Sequence, residues 1–421
     1  MFRSRVRGLV VLCALVGLSA CVDGQSDTPL ATTPSGATAA TDGGTGVSDG
    51  GLDFSSFDNA LQTAIDAYNA TDAGAGLPIL GASAVVVHKE LGAVHSKGFG
   101  QFAADRLYLI ASSSKILSVG VLKRLEDQGK LDFAKPISDY LGASMGQHKP
   151  NITLAELMSN SSGLPSLGEI LVLASNPTTE LQTQYSAHLC QYTPGGTLTD
   201  CGKSIYQDDM PANNRAPDET FRYGGSQWQL AGAVAEVVSG KTWAELITET
   251  YVTPCGVPSL GFTNPYGQPG VSPLGYPSFD ASQAKLPVSQ NPSIEGGGYS
   301  TAPDYAKLLL MHLRGGKCGD TTVLSPEAVA TMQKDRVAAY GGKPSTGANA
   351  TGTSIFTGYG LGWWVNDQLV ADPGAYGAFP FLDVKRGYGA IIMLEVNTTA
   401  GAAVGLAVKP ALDAIFDKLK K

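Results

Sequence analysis

Histidine is scarce in this 421-residue chain: there are five, none in an H-E-x-x-H arrangement, so zinc hydrolysis finds no support. Cysteine is nearly as sparse, six in all, with no close C-x-x-C pair of the kind that holds structural zinc. Charged residues make up only 16%, and 37 acids outnumber 29 bases, so nothing reads as a basic face for nucleic acid. The apolar run near the N-terminus, about a dozen residues, is too short to span a bilayer.

That run belongs to the opening "MFRSRVRGLVVLCALVGLSAC", in which three arginines precede it and small residues follow. The pattern is that of a signal peptide over residues 1–20. Leu18 to Cys21 looks like a bacterial lipobox, with cleavage before Cys21 and lipidation of that cysteine. On this reading the mature chain keeps 26 bases against 37 acids, a net charge of −11. It is exported and held at a bacterial membrane by its N-terminal lipid only, facing the periplasm or the cell exterior. Residues 21–52, rich in Gly, Thr, Ser, Ala and Asp, have almost nothing to bury and are expected to form a disordered tether.

Four cysteines remain in the body: Cys190, Cys201, Cys255 and Cys318. In an oxidising compartment they form two disulfides by any of three pairings. The short Cys190–Cys201 loop is the first expectation; whether Cys255 meets Cys318 is left open.

Phe54, Phe57, Leu61, Ile65 and Tyr68 recur at helical spacing. "GASAVVVHKELGAVHSKGFGQF" reads as two strands with a turn near Glu90 to Gly92, and a helix follows over Ser112 to Gln128. The middle of the chain holds helical segments such as "SQWQLAGAVAEVVSG" between loops. "YGLGWWVND", "GAYGAFPFLDV" and "GYGAIIMLEVN" bring strands back before a closing helix, "GLAVKPALDAIFDKLKK". The expected architecture is an α/β lobe from residues 53–106 and 285–421, a mostly helical lobe from 107–284, and a site at their seam.

Several motif matches are decoys. "AEVVSGKT" fits a relaxed phosphate loop, yet its Gly240 sits where a helix should end. "GVSDG" at Gly46 falls in the tether. "GASMG" at Gly142 follows "ISDYL", a weak strand, but Pro150 argues against the helix that a nucleophile elbow on Ser144 needs. S-x-x-K occurs twice. Ser282 to Lys285 lies in a polar, proline-bearing stretch, whereas Ser112 to Lys115, in "YLIASSSKILSVG", stands at a helix start.

There the spacing has a mechanism. Residues three apart share a helix face, so the Lys115 amine reaches the Ser112 hydroxyl while Ser113 and Ser114 point elsewhere. The unpaired N–H groups of a helix start favour an alkoxide on Ser112. If Ile110, Ile116 and Leu117 desolvate Lys115, its pKa falls and a neutral amine accepts the proton. A plain helix cap with a solvated lysine is the alternative.

Further segments follow in order: "ITLAELMSNSSGLP", "FRYGGSQWQLAGAVAEVVSGKTWAELITETYVTPCGV", "GGGYSTAPDYAKLLLMHL" and "YGLGWWV". With the Ser112 segment they resemble the serine hydrolases related to class C β-lactamases, penicillin-binding D-alanyl-D-alanine peptidases and family VIII carboxylesterases, over roughly residues 53–420. The resemblance implies an α+β fold: a β-lactamase-like α/β sandwich, with an antiparallel sheet flanked by helices, and a mostly helical second lobe. It implies an acyl-enzyme on Ser112, Lys115 as base, Tyr223 of "YGG" as second proton-handling group, small ester, amide or peptide substrates, and no cofactor or metal. Two motifs depart from the pattern. Gly225 stands where these enzymes have the Asn of Tyr-x-Asn, and Asp372-Pro373-Gly374 stands where they have Lys or His, Thr or Ser, then Gly. Gly374 is expected to let the backbone approach the substrate, with the N–H groups of Ala375 and Ser112 as oxyanion hole. Asp372 is expected to repel substrate carboxylates, unless Lys385 or Arg386 restores a positive charge, which favours neutral esters or amides over β-lactams. A non-catalytic envelope protein that keeps the fold is the remaining alternative.

Overall fold

The computed structural model describes residues 51–142, 151–170, 186–208, 215–267, 286–337 and 356–420. The signal peptide, Cys21, the tether up to residue 50, Gly46, Ser144, Ser282 and Lys285 lie outside them.

Helix α1 (Ser55–Asn69) buries Phe57, Leu61 and Ile65, three of the five residues of the apolar stripe read from the sequence. Strands β1 (Gly81–His88) and β2 (Gly92–Gly100) form the expected hairpin, with Gly92 at φ +86. Strand β3 (Leu107–Leu109) leads to α2 (Lys115–Asp127), then α3 (Leu198–Gln207) and α4 (Ser226–Ser239). Beyond β4 (Gly261–Phe262) and β5 (Gly298–Thr301) comes α5 (Ala302–Leu313). The chain then lays down β6 (Gly358–Tyr359), β7 (Trp364–Val365), β8 (Val370–Ala371), β9 (Phe379–Asp383) and β10 (Tyr388–Met393). It closes with α6 (Thr398–Ala407) and α7 (Lys409–Phe416).

The main sheet has seven strands in the order β2-β1-β10-β9-β8-β7-β6, antiparallel throughout. Both its faces are covered, and the period of two shows in which core each residue joins. Val85, Val87, Ile391 and Met393 face α2, α4 and α5, while Ala84, Val86, Ala390 and Ile392 face α1, α6 and α7. This is the α/β sandwich with a largely helical second lobe. A small sheet, β3-β5-β4, is antiparallel too, and β3 delivers the chain to Ser112.

Local departures have simple causes. "ISDYL" is a short helix, Ser138–Leu141, because so brief an apolar pattern does not separate strand from helix. "GAYGAFPFLDV" starts as a turn, Gly377 N–H donating to Gly374 O, and is strand only from Phe379. The closing helix begins earlier than expected, at Thr398, capped by Asn397. Thr398–Leu419 has the length and composition of a membrane span, yet 56% of its most apolar stretch is buried in the fold. Gly240 ends α4 at φ +68, and Thr242 then caps a short helix over Trp243–Ile247; a helix and not a strand precedes "GKT", so the stretch is no phosphate loop. The disulfides are Cys190–Cys201 and Cys255–Cys318.

Candidate active site

The three consecutive serines have three different tasks. Ser113 Oγ donates to Asp372 O at 2.6 Å, pinning the turn to the end of β8. Ser114 Oγ donates to Ala111 O and accepts from Gly298 N–H at 2.8 Å, pinning it to β5. Both serines are fully buried, whereas Ser112 is partly exposed. Residues Ala111–Ser114 form one 3₁₀ turn that runs straight into α2. Ala111 takes φ +45, a left-handed conformation that costs an L-residue about 1–2 kcal/mol. The bonds from Ser113 and Ser114 hold that strained turn in place.

Lys115 Nζ lies 3.1 Å from Ser112 Oγ, as the three-residue spacing requires. It also donates to Glu295 O at 3.1 Å, stands 3.4 Å from Glu295 Oε2, and sits 4.6 Å from the centre of the Tyr223 ring. The side chain is fully buried. Here the expectation of a neutral amine needs correction. Burial pulls the Lys115 pKa down, but Tyr223, Glu295 and Asp372 around it outweigh that, and the net displacement is upward. The free protein therefore holds Lys115 as an ammonium. Burial likewise raises Tyr223, against the opposing pull of Lys115, so its phenol rests protonated while engaging both Lys115 and Ser112.

Tyr223 is placed from both sides. Gln227 Nε2, at the start of α4, donates to Arg222 O at 2.8 Å and to Gly224 O at 3.2 Å, clamping the segment that carries it. Its ring stacks on Trp364 of β7, with centroids 5.6 Å apart.

Gly225 exposes a residue that the motifs had not marked. A Cβ built on Gly225 would fall 1.9 Å from Gln191 Oε1 and 2.2 Å from Glu295 Oε1. The space of the missing asparagine is thus filled by a carboxylate and an amide arriving from distant parts of the chain. Glu295 is anchored by its neighbour: Ile294 N–H donates to Gln229 Oε1 at 3.1 Å, and Ser118 Oγ donates to Ile294 O. The only signal in the sequence is indirect, a lone acid before "GGG" together with an absent asparagine elsewhere.

The third motif behaves differently from its expectation. Asp372 is 0% exposed and directed at the backbone of Lys115 and Ile116 at the start of α2, but neither carboxylate oxygen completes a hydrogen bond among the described residues. Burial raises its pKa well above the usual carboxylate range. It therefore lies beneath the strand end and does not line the cleft, so repulsion of a substrate carboxylate cannot be assigned to it. Gly374 does lie close in: a Cβ there would meet Ile110 O at 2.2 Å. Ala375, partly exposed, follows it in the turn after β8. Lys385 donates to Asp367 O, and Arg386 pairs with Asp383 and Asp417, so both cations are engaged away from Ser112.

Residues 69–412 match the protein family described as Beta-lactamase. The chain belongs to that family. Within the wider superfamily of β-lactamases, penicillin-binding proteins and esterases, the chain is 24% identical to "Penicillin-binding protein 4" of Amycolatopsis lactamdurans, over 74% of this chain and 77% of that one. It is 23% identical to "Esterase/beta-lactamase LipL" of Mycobacterium tuberculosis, spanning 62% of this chain and about half, 52%, of that protein. Among solved structures, a putative β-lactamase from Bacteroides dorei superposes with a TM-score of 0.61 at 22% identity, covering 87% of this chain and 99% of that one. EstCE1, a hydrolase with promiscuous acyltransferase activity, gives 0.61 at 19% identity, over 84% and 98%. Family and fold support serine-hydrolase or acyltransferase chemistry on ester or amide substrates.

Proposed function

We propose that the protein is a serine hydrolase acting through an acyl-enzyme on Ser112, with esterase-like specificity. The observation that carries this reading is the 3.1 Å approach of Lys115 Nζ to Ser112 Oγ at a helix start, with the Tyr223 phenol against both. Lys115, once it has lost a proton, takes the hydroxyl proton of Ser112 as Oγ bonds to the substrate carbonyl carbon. The backbone N–H groups of Ser112 and Ala375 receive the resulting oxyanion. Tyr223 relays a proton to the leaving group, and water releases the acyl group by the reverse path. The roles of Gly225 and Gly374 are close packing beside the substrate.

Anionic substrates are disfavoured on new grounds. Glu295 adds a negative charge beside Lys115, and the third motif, Asp372-Pro373-Gly374, supplies no cation to hold a carboxylate. The second reading, a β-lactamase or D-alanyl-D-alanine peptidase, draws on the printed names of the relatives. The lobes meet at Ser112, with the α/β lobe from residues 53–106 and 285–421, the helical lobe between them, and an N-terminal lipid on Cys21 as membrane anchor.

A fluorophosphonate probe tests the reading, with mass spectrometry to locate the adduct and Ser112→Ala as control. Labelling confined to Ser112 supports it; an unlabelled folded protein means a non-catalytic scaffold. Faster turnover of a chromogenic cephalosporin than of a short-chain nitrophenyl ester means the β-lactamase reading is right.

A further inference from the structure

We propose that the acyl group accepted by this site carries a protonated amine beside its scissile carbonyl, bound by Glu295 and Gln191. The inference rests on Ser112 being the nucleophile and names the substrate class that reading leaves open: aminoacyl esters and amides.

Two oxygens converge on one place and bring no donor with them. Glu295 Oε1 and Gln191 Oε1 both lie within 2.2 Å of the point a Gly225 Cβ would occupy. Gln191 is 1% exposed, and its Oε1 has no hydrogen-bond partner among the described residues. Its orientation is fixed: Nε2 donates to His188 O at 2.8 Å and to Ser226 Oγ at 3.1 Å, and a flip would set oxygen against a carbonyl. Behind it runs a chain of donors. Ser226 Oγ lies 2.9 Å from His188 Nδ1, and His188 Nε2 lies 2.9 Å from Asp208 Oδ2. Asp208 accepts from Nε2–H, leaving Nδ1 to accept the Ser226 proton. Each bond in the chain donates away from the cleft, so an acceptor is all that remains at the Gln191 end. A buried acceptor of this kind is costly unless a ligand supplies the proton.

The charge and setting match an ammonium. The Glu295 side chain is 15% exposed, so its carboxylate can be reached. Tyr192 and Tyr266, packed edge to face with ring centroids 5.0 Å apart, both lie near enough to feel its charge and bring no cation of their own. Lys115 Nζ is 3.1 Å from Ser112 Oγ and 3.4 Å from Glu295 Oε2, so nucleophile and carboxylate share one neighbour. An amine on the carbon next to the carbonyl bridges that gap.

Binding then prepares the base. The substrate ammonium becomes a counter-ion of Glu295, and Lys115 releases its proton to solvent. Neutral Nζ takes the Ser112 proton as the Oγ–carbon bond forms and the carbonyl pair moves to oxygen. Collapse expels the alcohol or amine, which receives that proton back from Lys115 through Tyr223.

The test compares kcat/KM of the full chain for both enantiomers of alanine benzyl ester, for N-acetylalanine benzyl ester and for benzyl propionate. An amine preference of about tenfold or more over propionate is expected for one enantiomer, lost on acetylation. Glu295→Gln and Gln191→Met should each pull that ratio towards one, with fluorophosphonate labelling of Ser112 showing that the variants are folded. A wild-type ratio near one, or a ratio that both variants leave intact, overturns the inference while a labelled Ser112 keeps the hydrolase reading. If Ser112 is never labelled, both fall.

Discussion

The Glu295 carboxylate stands 3.4 Å from the Lys115 ammonium, within the space that a side chain on residue 225 would take. That pairing sets the charge of the candidate base, and it makes the proton traffic at Ser112 depend on a residue nearly two hundred positions away.

Glu295→Gln removes one of the negative charges that raise the Lys115 pKa. The sign follows directly. Activity on a neutral ester needs Lys115 without its proton, so kcat/KM climbs with pH up to the Lys115 pKa. Lowering that pKa moves the rising limb of the profile to lower pH. A pH–rate series on a neutral nitrophenyl ester, wild type against variant, measures it, and coincident profiles would show that Glu295 does not govern the base.

Lys115→Ala should slow acylation of Ser112 by about a hundredfold or more, read as the single-turnover rate with a nitrophenyl ester. Rates close to wild type would remove Lys115 from the proton-accepting role.

Gly225→Ala places a methyl group 1.9 Å from Gln191 Oε1 and 2.2 Å from Glu295 Oε1. Neither side chain can stay where it is. We expect a loss of about 1–3 kcal/mol in stability, measured by denaturant unfolding, together with a fall in ester turnover. Unchanged unfolding and turnover would mean that the two oxygens are free to move aside.

The two disulfides should separate stability from function. Cys190–Cys201 closes a sequence separation of 11 and Cys255–Cys318 one of 63, worth about 3 and 4 kcal/mol by chain entropy. Cys190 lies next to Gln191, so Cys190→Ser with Cys201→Ser should lower both melting temperature and ester turnover. Cys255→Ser with Cys318→Ser should lower the melting temperature at least as much and leave turnover at low temperature unchanged. Calorimetry and an ester assay on both pairs decide the point.

What the sequence revealed of the site was whatever rests on local spacing. Ser112 and Lys115 are one helical turn apart, and Lys115 is buried, which the sequence had posed only as a condition beside a solvated alternative. The sign of its pKa shift was not legible, because the apolar neighbours of Lys115 are local while Glu295 and Asp372 come from distant segments. Asp372 misled for a related reason. Its position was set only by the resemblance to the third motif, and the face on which its side chain emerges from the end of β8 depends on strand register, which no motif encodes. Glu295 and Gln191 were invisible as a pair, since only the packing of the loop before β5 against the turn before α3 brings them to Gly225. Strands β1, β9 and β10 were easier to read, since they are rich in the apolar residues that two covered faces require, whereas their antiparallel pairing came only from the resemblance.

One feature of that sheet reaches beyond catalysis. Strand β1 runs between β2 and β10, so Ser83 finds its neighbour at Met393, more than three hundred positions later. While a ribosome is still making the region around β9, one edge of the early hairpin lacks its mate, and native assembly must wait for the late strand. Such a topology delays folding until nearly the whole polypeptide has emerged, which is compatible with threading an unfolded chain through a translocation channel.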